Sequence, residues 1–227
     1  MSGLFGVDGC SGGWIAASVR SDSTIHVIRV ARLTDLPAPT VIAVDMPIGL
    51  PDRGDRACDA AARKLIGIRR SSVFPVPIRG MMSAATREAA CAIGRETDGR
   101  EIGATSWAIK EKIETLDQLL RSNAQFAAIT YEVHPEVIFH RMSGGVGFDY
   151  KKTLSGAEQR LSILETALGS SVRAAAADAR ALGCARDDVI DSMACLWTAR
   201  RIAAGHATSL PEFPPTDALG LPMRIVS

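Results

Sequence analysis

Acidic residues recur in this chain where an apolar run meets a turn or the start of a helix. Asp8 follows LFGV in the stretch GVDGCSGGW, Asp45 follows VIAV in AVDMPIGLP, and Glu132 lies three residues ahead of Pro135 in YEVHPEVIF. Near the C-terminal end, ARDDVIDSMACLW carries Asp187, Asp188 and Asp191. On a helix Asp188 and Asp191 share a face, and Asp187 and Asp191 meet the four-residue spacing. Carboxylates brought together raise one another's pKa values unless a cation or hydrogen-bond donors compensate. Hard oxygen donors of this kind suit Mg²⁺ or Mn²⁺. Taken singly, each acid has a plainer account: a turn-forming Asp, a solvated Glu, or Asp187 as an N-cap with Asp188 favouring the helix dipole. That account serves Asp191 poorly, because it lies deeper in the helix beside Ile190, Met193 and Ala194. The repetition points to a metal site.

Strands must bring such acids together. Residues 4–8, 14–19, 24–30, 41–45 and 127–132 read as strands, the first two forming an antiparallel hairpin across the glycine turn at 9–13. Residues 57–66, 83–93, 107–121 and 188–204 read as helices, and Ser155 with Glu158 has the spacing of a capping box ahead of RLSILETAL. If the strands ending at Asp8, Asp45 and Glu132 are parallel neighbours, their acids converge at the carboxyl ends, where open α/β sheets gather ligands. The order of elements predicts an α/β protein with a mixed sheet. At 227 residues one domain is expected, spanning 1–227, with a helical insertion at about 52–125 and an irregular tail at 205–227.

The composition excludes several classes. A net charge of +1 is not the footprint of a strongly basic nucleic-acid binder, although residues 52–79 hold seven basic side chains against three acids. The five cysteines are odd in number and scattered, which argues against a disulfide framework or a structural zinc. Cys10 lies in the glycine turn with no base beside it in sequence. No apolar run reaches the roughly 20 residues of a membrane span, and the first residues lack a secretion signal, so a cytoplasmic protein without a membrane partner is expected. Trp14, Trp107 and Trp197 read as core residues.

An Asp on strand one, a glycine hairpin, an acid after strand four and a D-x-x-D helix near the C-terminus together resemble the ribonuclease H-like superfamily, its Holliday-junction resolvase branch above all. The segments GVDGCSGGW, AVDMPIGLP, RRSSVFPVP, YEVHPEVIF and DDVIDSMACLW resemble more closely the domain-of-unknown-function family 429, whose members are described as predicted nucleases. The resemblance touches residues 6 to about 200. It implies a three-layer α/β/α fold with a five-stranded sheet of order 3-2-1-4-5, strand two antiparallel. It also implies a metal-dependent nuclease, a hydrolase that cleaves phosphodiester bonds by a two-metal mechanism. Asp8, Asp45, Asp188 and Asp191 match the metal-binding positions, with Mg²⁺ or Mn²⁺ as cofactor and DNA or RNA as substrate. Asp45 stands where the resolvases carry a longer Glu. Glu132 has no resolvase counterpart and joins the catalytic candidates as a further ligand or a strand terminus.

Substrate contacts are expected from Arg69, Arg70 and Ser71 in RRSSVFPVPIRG, which combines cations and hydroxyls suited to phosphate oxygens, and from Lys151 and Lys152 near a helix start. His134 and His140 are candidates for proton transfer, with capping or core packing as the plainer reading. Two other functions fit the pattern. One is a phosphotransferase of the actin and sugar-kinase type, against which stands the lack of a second hairpin copy. The other is a non-catalytic nucleic-acid or protein-binding module on the same fold. The oligomeric state is left open by the sequence, and a homodimer is compatible with it.

Overall fold

The computed structural model describes residues 3–227. In chain order the elements are β1 (Leu4–Cys10), β2 (Gly13–Val19), β3 (Ile25–Val30), β4 (Val41–Val44), α1 (Ala57–Ile66), α2 (Arg87–Asp98), α3 (Ala104–Ala108), α4 (Lys110–Ser122) and α5 (Ala124–Ile129). Then follow β5 (Thr130–Glu132), α6 (Pro135–Met142), α7 (Leu154–Leu168), α8 (Val172–Ala177), α9 (Ala179–Leu182) and α10 (Arg186–Ala203), with short strands at Ser209–Leu210 and Ile225–Val226. Strands β1 to β5 form one mixed sheet of order 3-2-1-4-5, in which β2 runs antiparallel to its neighbours and β4 and β5 run parallel to β1. The α/β class, strand order and strand directions are therefore those expected.

The chain divides into two compact units. The first holds the chain up to Asp45 together with Ile129–Ala207 and Val226–Ser227, and the second holds Met46–Ala128 and Thr208–Ile225. The physical reason is that the segment between β4 and β5 buries an apolar set of its own, Ile78, Met81, Ala84, Ala90, Cys91 and Ile102. Charge pairs reinforce it. Arg56, 2% exposed, meets Asp59 at 2.6 Å and donates to the Ile48 carbonyl at 3.0 Å. Arg79 bridges Asp117 at 3.1 Å and Asp217 at 2.5 Å.

In the first unit α10 packs against β1, β2 and β4, with α6, α7 and α8 packed against it in turn. Gly6 makes that packing close. A Cβ placed there would lie 1.9 Å from the Leu196 nitrogen and 2.2 Å from the Ser192 carbonyl oxygen, so only hydrogen fits between β1 and the backbone of α10. The core there is aliphatic, with Ile15, Val133, Ile138, Leu161, Leu164, Val189, Met193 and Leu196 all buried. Trp14 is buried as expected, whereas Trp197 is half-buried with the Arg201 guanidinium 4.8 Å above its ring. Among the described residues no helix is long and apolar enough to cross a membrane.

Several local expectations change. The fifth strand shrinks to Thr130–Glu132 because AQFAAI is a helical turn, started by the Asn123 side chain accepting from the Phe126 N–H at 3.0 Å. The helix expected over 83–93 starts at Arg87, where the Thr86 hydroxyl accepts from the Ala89 N–H, and the one over 107–121 is broken at Ile109 into α3 and α4. Ser155 and Glu158 do not form a capping box. Thr153 caps α7 by accepting from the Gly156 N–H at 3.0 Å, Ser155 donates to Asp149, and Glu158 pairs with Arg173.

Candidate carboxylate site

β1 does not end at Asp8. It continues to Cys10, and Asp8 is paired with Ile15 inside the hairpin, which turns at Ser11 and Gly12 with Gly12 at φ 69°. On its other side β1 loses its partner at that level: the parallel ladder closes at Val7 opposite Val44, and the Asp45 N–H donates to the Val7 carbonyl at 2.9 Å. Asp8 and Asp45 thus sit at one level, where β4 stops and the β1–β2 hairpin runs on. Successive strand residues alternate between faces, so Asp8 shares the face of Gly6, the face against which α10 packs. Asp45, level with Asp8, projects to that face too.

The register places Glu132 differently. It is aligned with Val44 and Val7, one level earlier, and so projects to the opposite face of the sheet from Asp8 and Asp45. Glu132 is buried, and the expected convergence of three strand-end acids is reduced to two.

Helix α10 supplies the rest. It begins two residues earlier than the sequence indicated, with Ala185 rather than Asp187 at the N-cap, and the Asp188 carboxylate accepts from the Ala185 N–H at 3.1 Å. Asp191 lies one turn further in, 2% exposed, while Asp8, Asp45, Asp187 and Asp188 are partly exposed. Glu136, in the first turn of α6, is a carboxylate that sequence reasoning missed. The Arg160 guanidinium, buried and set 5.2 Å from the Phe139 ring and 5.4 Å from the Phe148 ring, holds it at 2.7 Å. Pro135 at the first helical position was the available signal, since it fixes the helix start and puts Glu136 in a first turn right after β5.

These acids act on one another. Burial, followed by the charges of Asp45, Asp191 and Asp188, holds the Asp8 carboxyl well above the usual carboxylate range. Burial and the charges of Asp191 and Glu136 push Asp45 up to about 8. Asp191 is raised first by burial and then by Glu136 and Asp187, with Lys151 opposing. Asp188 is raised by burial and by Asp187, against the bond from Ala185. Beneath the cluster the Cys195 thiol is raised by burial and by the charges of Asp45, Asp8 and Asp191.

Lys151 is the cation among them. Its Nζ donates to Asp191 Oδ2 at 2.7 Å and stands 3.8 Å from Asp187 Oδ2. The acids hold its pKa above the ordinary lysine value, against the downward pull of burial. Lys152 is exposed beside it. Arg69, Arg70 and Ser71 lie in the second unit on the 3-10 segment Gly67–Ser72, with Arg70 and Ser71 exposed and Arg69 half-buried. His134 occupies the N-cap position of α6 without a side-chain cap bond, and His140 lies in its last turn. Cys10 is buried, its Sγ–H directed at the Ser11 carbonyl.

The donor set fits a hard divalent cation in chemistry and charge: carboxylate oxygens on two parallel strands and a helix, mutually repelling, with one ammonium among them. It is not a finished cage. Among the described residues, no three His, Cys, Asp or Glu side chains stand together as a metal-holding group. The chain matches no curated protein and no solved structure. The model of one family, described as a protein of unknown function (DUF429), matches residues 6–216. That span is nearly the whole chain, which therefore belongs to the DUF429 family.

Proposed function

We propose that the first unit is a metal-dependent hydrolase of phosphodiester bonds in nucleic acid, with Asp8, Asp45, Asp188 and Asp191 as the ligands of Mg²⁺ or Mn²⁺. One observation carries this reading. Asp8 on β1 and Asp45 at the end of the parallel neighbour β4 lie level on the face against which α10 packs, and both are held above the ordinary carboxylate range by burial and by the charge of Asp191 on that helix, itself raised by burial, Glu136 and Asp187. Structural carboxylates are normally paired or hydrogen-bonded so that they ionise easily. A cluster raised in this way marks a functional site.

A divalent cation bound there would supply Lewis-acid activation of water and neutralise charge on the phosphate. The chain's own residues would do the rest. The sheet and α10, locked together at Gly6, fix the carboxylates from two sides. Asp8 is further oriented by the Gly9 N–H, which donates to its Oδ1 at 2.6 Å. Arg160 keeps Glu136 turned to the same cluster. In this unit exposed Lys152 is the candidate for phosphate contact. No side-chain nucleophile is called for, and water is the attacking group.

The test is cleavage of single-stranded, duplex and branched DNA and RNA with Mg²⁺ or Mn²⁺, wild type against Asp8→Asn and Asp191→Asn. Metal-dependent cleavage by wild type, lost in both variants with the fold intact, supports the reading. A second reading, a non-catalytic nucleic-acid-binding module, is favoured by the ammonium already seated on Asp191. It predicts binding of the same substrates without cleavage and without dependence on metal.

A further inference from the structure

Lys151 lies in the wrong place for a lysine whose only task is to meet a phosphate. Its ammonium is engaged inward, at 2.7 Å from Asp191, a carboxylate that the metal reading assigns to a dication, and at 3.8 Å from the neighbouring Asp187. Yet it is not locked in. About a third of the lysine side chain, 34%, is exposed, whereas the Asp191 side chain is 3% exposed, so the lysine borders solvent and the carboxylate does not. Lys151 follows α6 by a connection in which Gly144 and Gly145 take φ of 64° and 91°. The connection is pinned to α7 just before the lysine, where the Asp149 N–H donates to Gln159 at 2.7 Å and its carbonyl accepts from Arg160 at 2.9 Å. With the backbone held there, displacement of the ammonium falls to rotation of the lysine side chain.

Resting on the metal-binding reading above, we propose that Lys151 is the resident counter-cation of the carboxylate site and that a divalent cation binds by displacing its ammonium from Asp191. Two cations on the same oxygens repel, so the occupancy of one excludes the other. The lysine keeps the cluster folded without metal and sets the metal affinity below what the carboxylates alone would give. It accounts for a donor set that suits a dication in chemistry without standing as a metal-holding group in this arrangement. Displaced, the ammonium stays on the same connection as exposed Lys152 and faces solvent, where an anionic substrate approaches.

The experiment is calorimetric titration of Mn²⁺ into the full chain for wild type, Lys151→Met, Lys151→Arg and Asp191→Asn. Removing the competitor should tighten Mn²⁺ binding in Lys151→Met by about tenfold or more, the scale of a close charge pair measured in isolation. Lys151→Arg should stay near wild type, and Asp191→Asn should lose binding. Lys151→Gln replaces Lys151→Met if the latter does not fold. Equal or weaker binding by the uncharged variants overturns displacement and leaves the metal reading standing. Absence of binding in wild type and in every Lys151 variant overturns the metal reading and displacement with it. A second readout separates displacement from altered folding: in wild type the side-chain ¹⁵N resonance of the Lys151 ammonium should move to its free-lysine position on saturation with Mg²⁺. No movement despite binding overturns the proposal.

Discussion

Neutralising Asp45 should stabilise the metal-free protein, by an amount that grows as pH rises from about 4 to about 8. Burial, the Asp191 charge and the Glu136 charge raise its carboxyl from 3.8 to about 8, with Lys151 opposing. For an acid whose folded-state value is raised, folding favours the neutral form. The stabilising contribution is whole below about pH 4 and is lost as pH rises through about 8. The rise from 3.8 to about 8, at about 1.36 kcal/mol per pH unit, sets a ceiling of about 6 kcal/mol. Asp45 is partly exposed, so solvent screening and relaxation reduce this to about 2 kcal/mol. For a chain of this size that is a shift in Tm of about 5 °C. Thermal unfolding of wild type and Asp45→Asn in chelator should therefore coincide near pH 4, diverge progressively, and differ by about 5 °C above pH 8, with the variant more stable. Excess Mg²⁺ should raise the wild-type Tm at pH 8 and leave the variant nearly unmoved. A constant offset between the two proteins from pH 4 to pH 9, or a variant that is less stable at pH 9, would refute the argument that like charges crowd this site.

Gly6→Ala should destabilise by about 3 kcal/mol or more, since its Cβ would overlap the α10 backbone rather than a flexible side chain; urea unfolding measures this, and a loss under 1 kcal/mol would mean that the helix slides freely. Arg160→Met leaves Glu136 without its 2.7 Å partner and should cost about 3 kcal/mol, read by the same method, while Arg160→Met with Glu136→Gln should recover much of it. Asp217 behaves oppositely to Asp45. Backbone N–H groups of Leu50, Leu221 and Leu219 and the Arg79 guanidinium outweigh burial and lower its pKa, so its contribution is present above about pH 4 and is lost as pH falls. Asp217→Asn should accordingly flatten the acid limb of the stability profile and lower stability at pH 7.

Much of this was legible in local pattern. Short apolar runs, the GCSGG turn and the alanine-rich 57–66 segment identified strands, hairpin and helix because each reports backbone preference within a few residues. The convergence of Asp8 with Asp45 was legible conditionally, since it required only that β1 and β4 be parallel neighbours. Glu132 was misjudged for want of one residue of register, which decides the face of a sheet and which no strand states about itself. The start of α10 was misjudged because Asp187 is a good capping residue in sequence and Ala185 is not, yet Ala185 takes the N-cap position, with its N–H satisfied by the Asp188 carboxylate from the first turn. Glu136 and Lys151 were legible as charged residues and not as neighbours. Their partners Arg160 and Asp191 lie 24 and 40 residues away, and the ion pairs exist only because the helices pack where they do.

By itself the sequence determined the α/β class, the five strands and the acids available for chemistry, because these follow from residue type, period and spacing. Tertiary structure alone decided which acids meet, which face they share, how far their pKa values rise and which cation sits among them, because electrostatics depends on distance and burial through space, and neither is written along the chain.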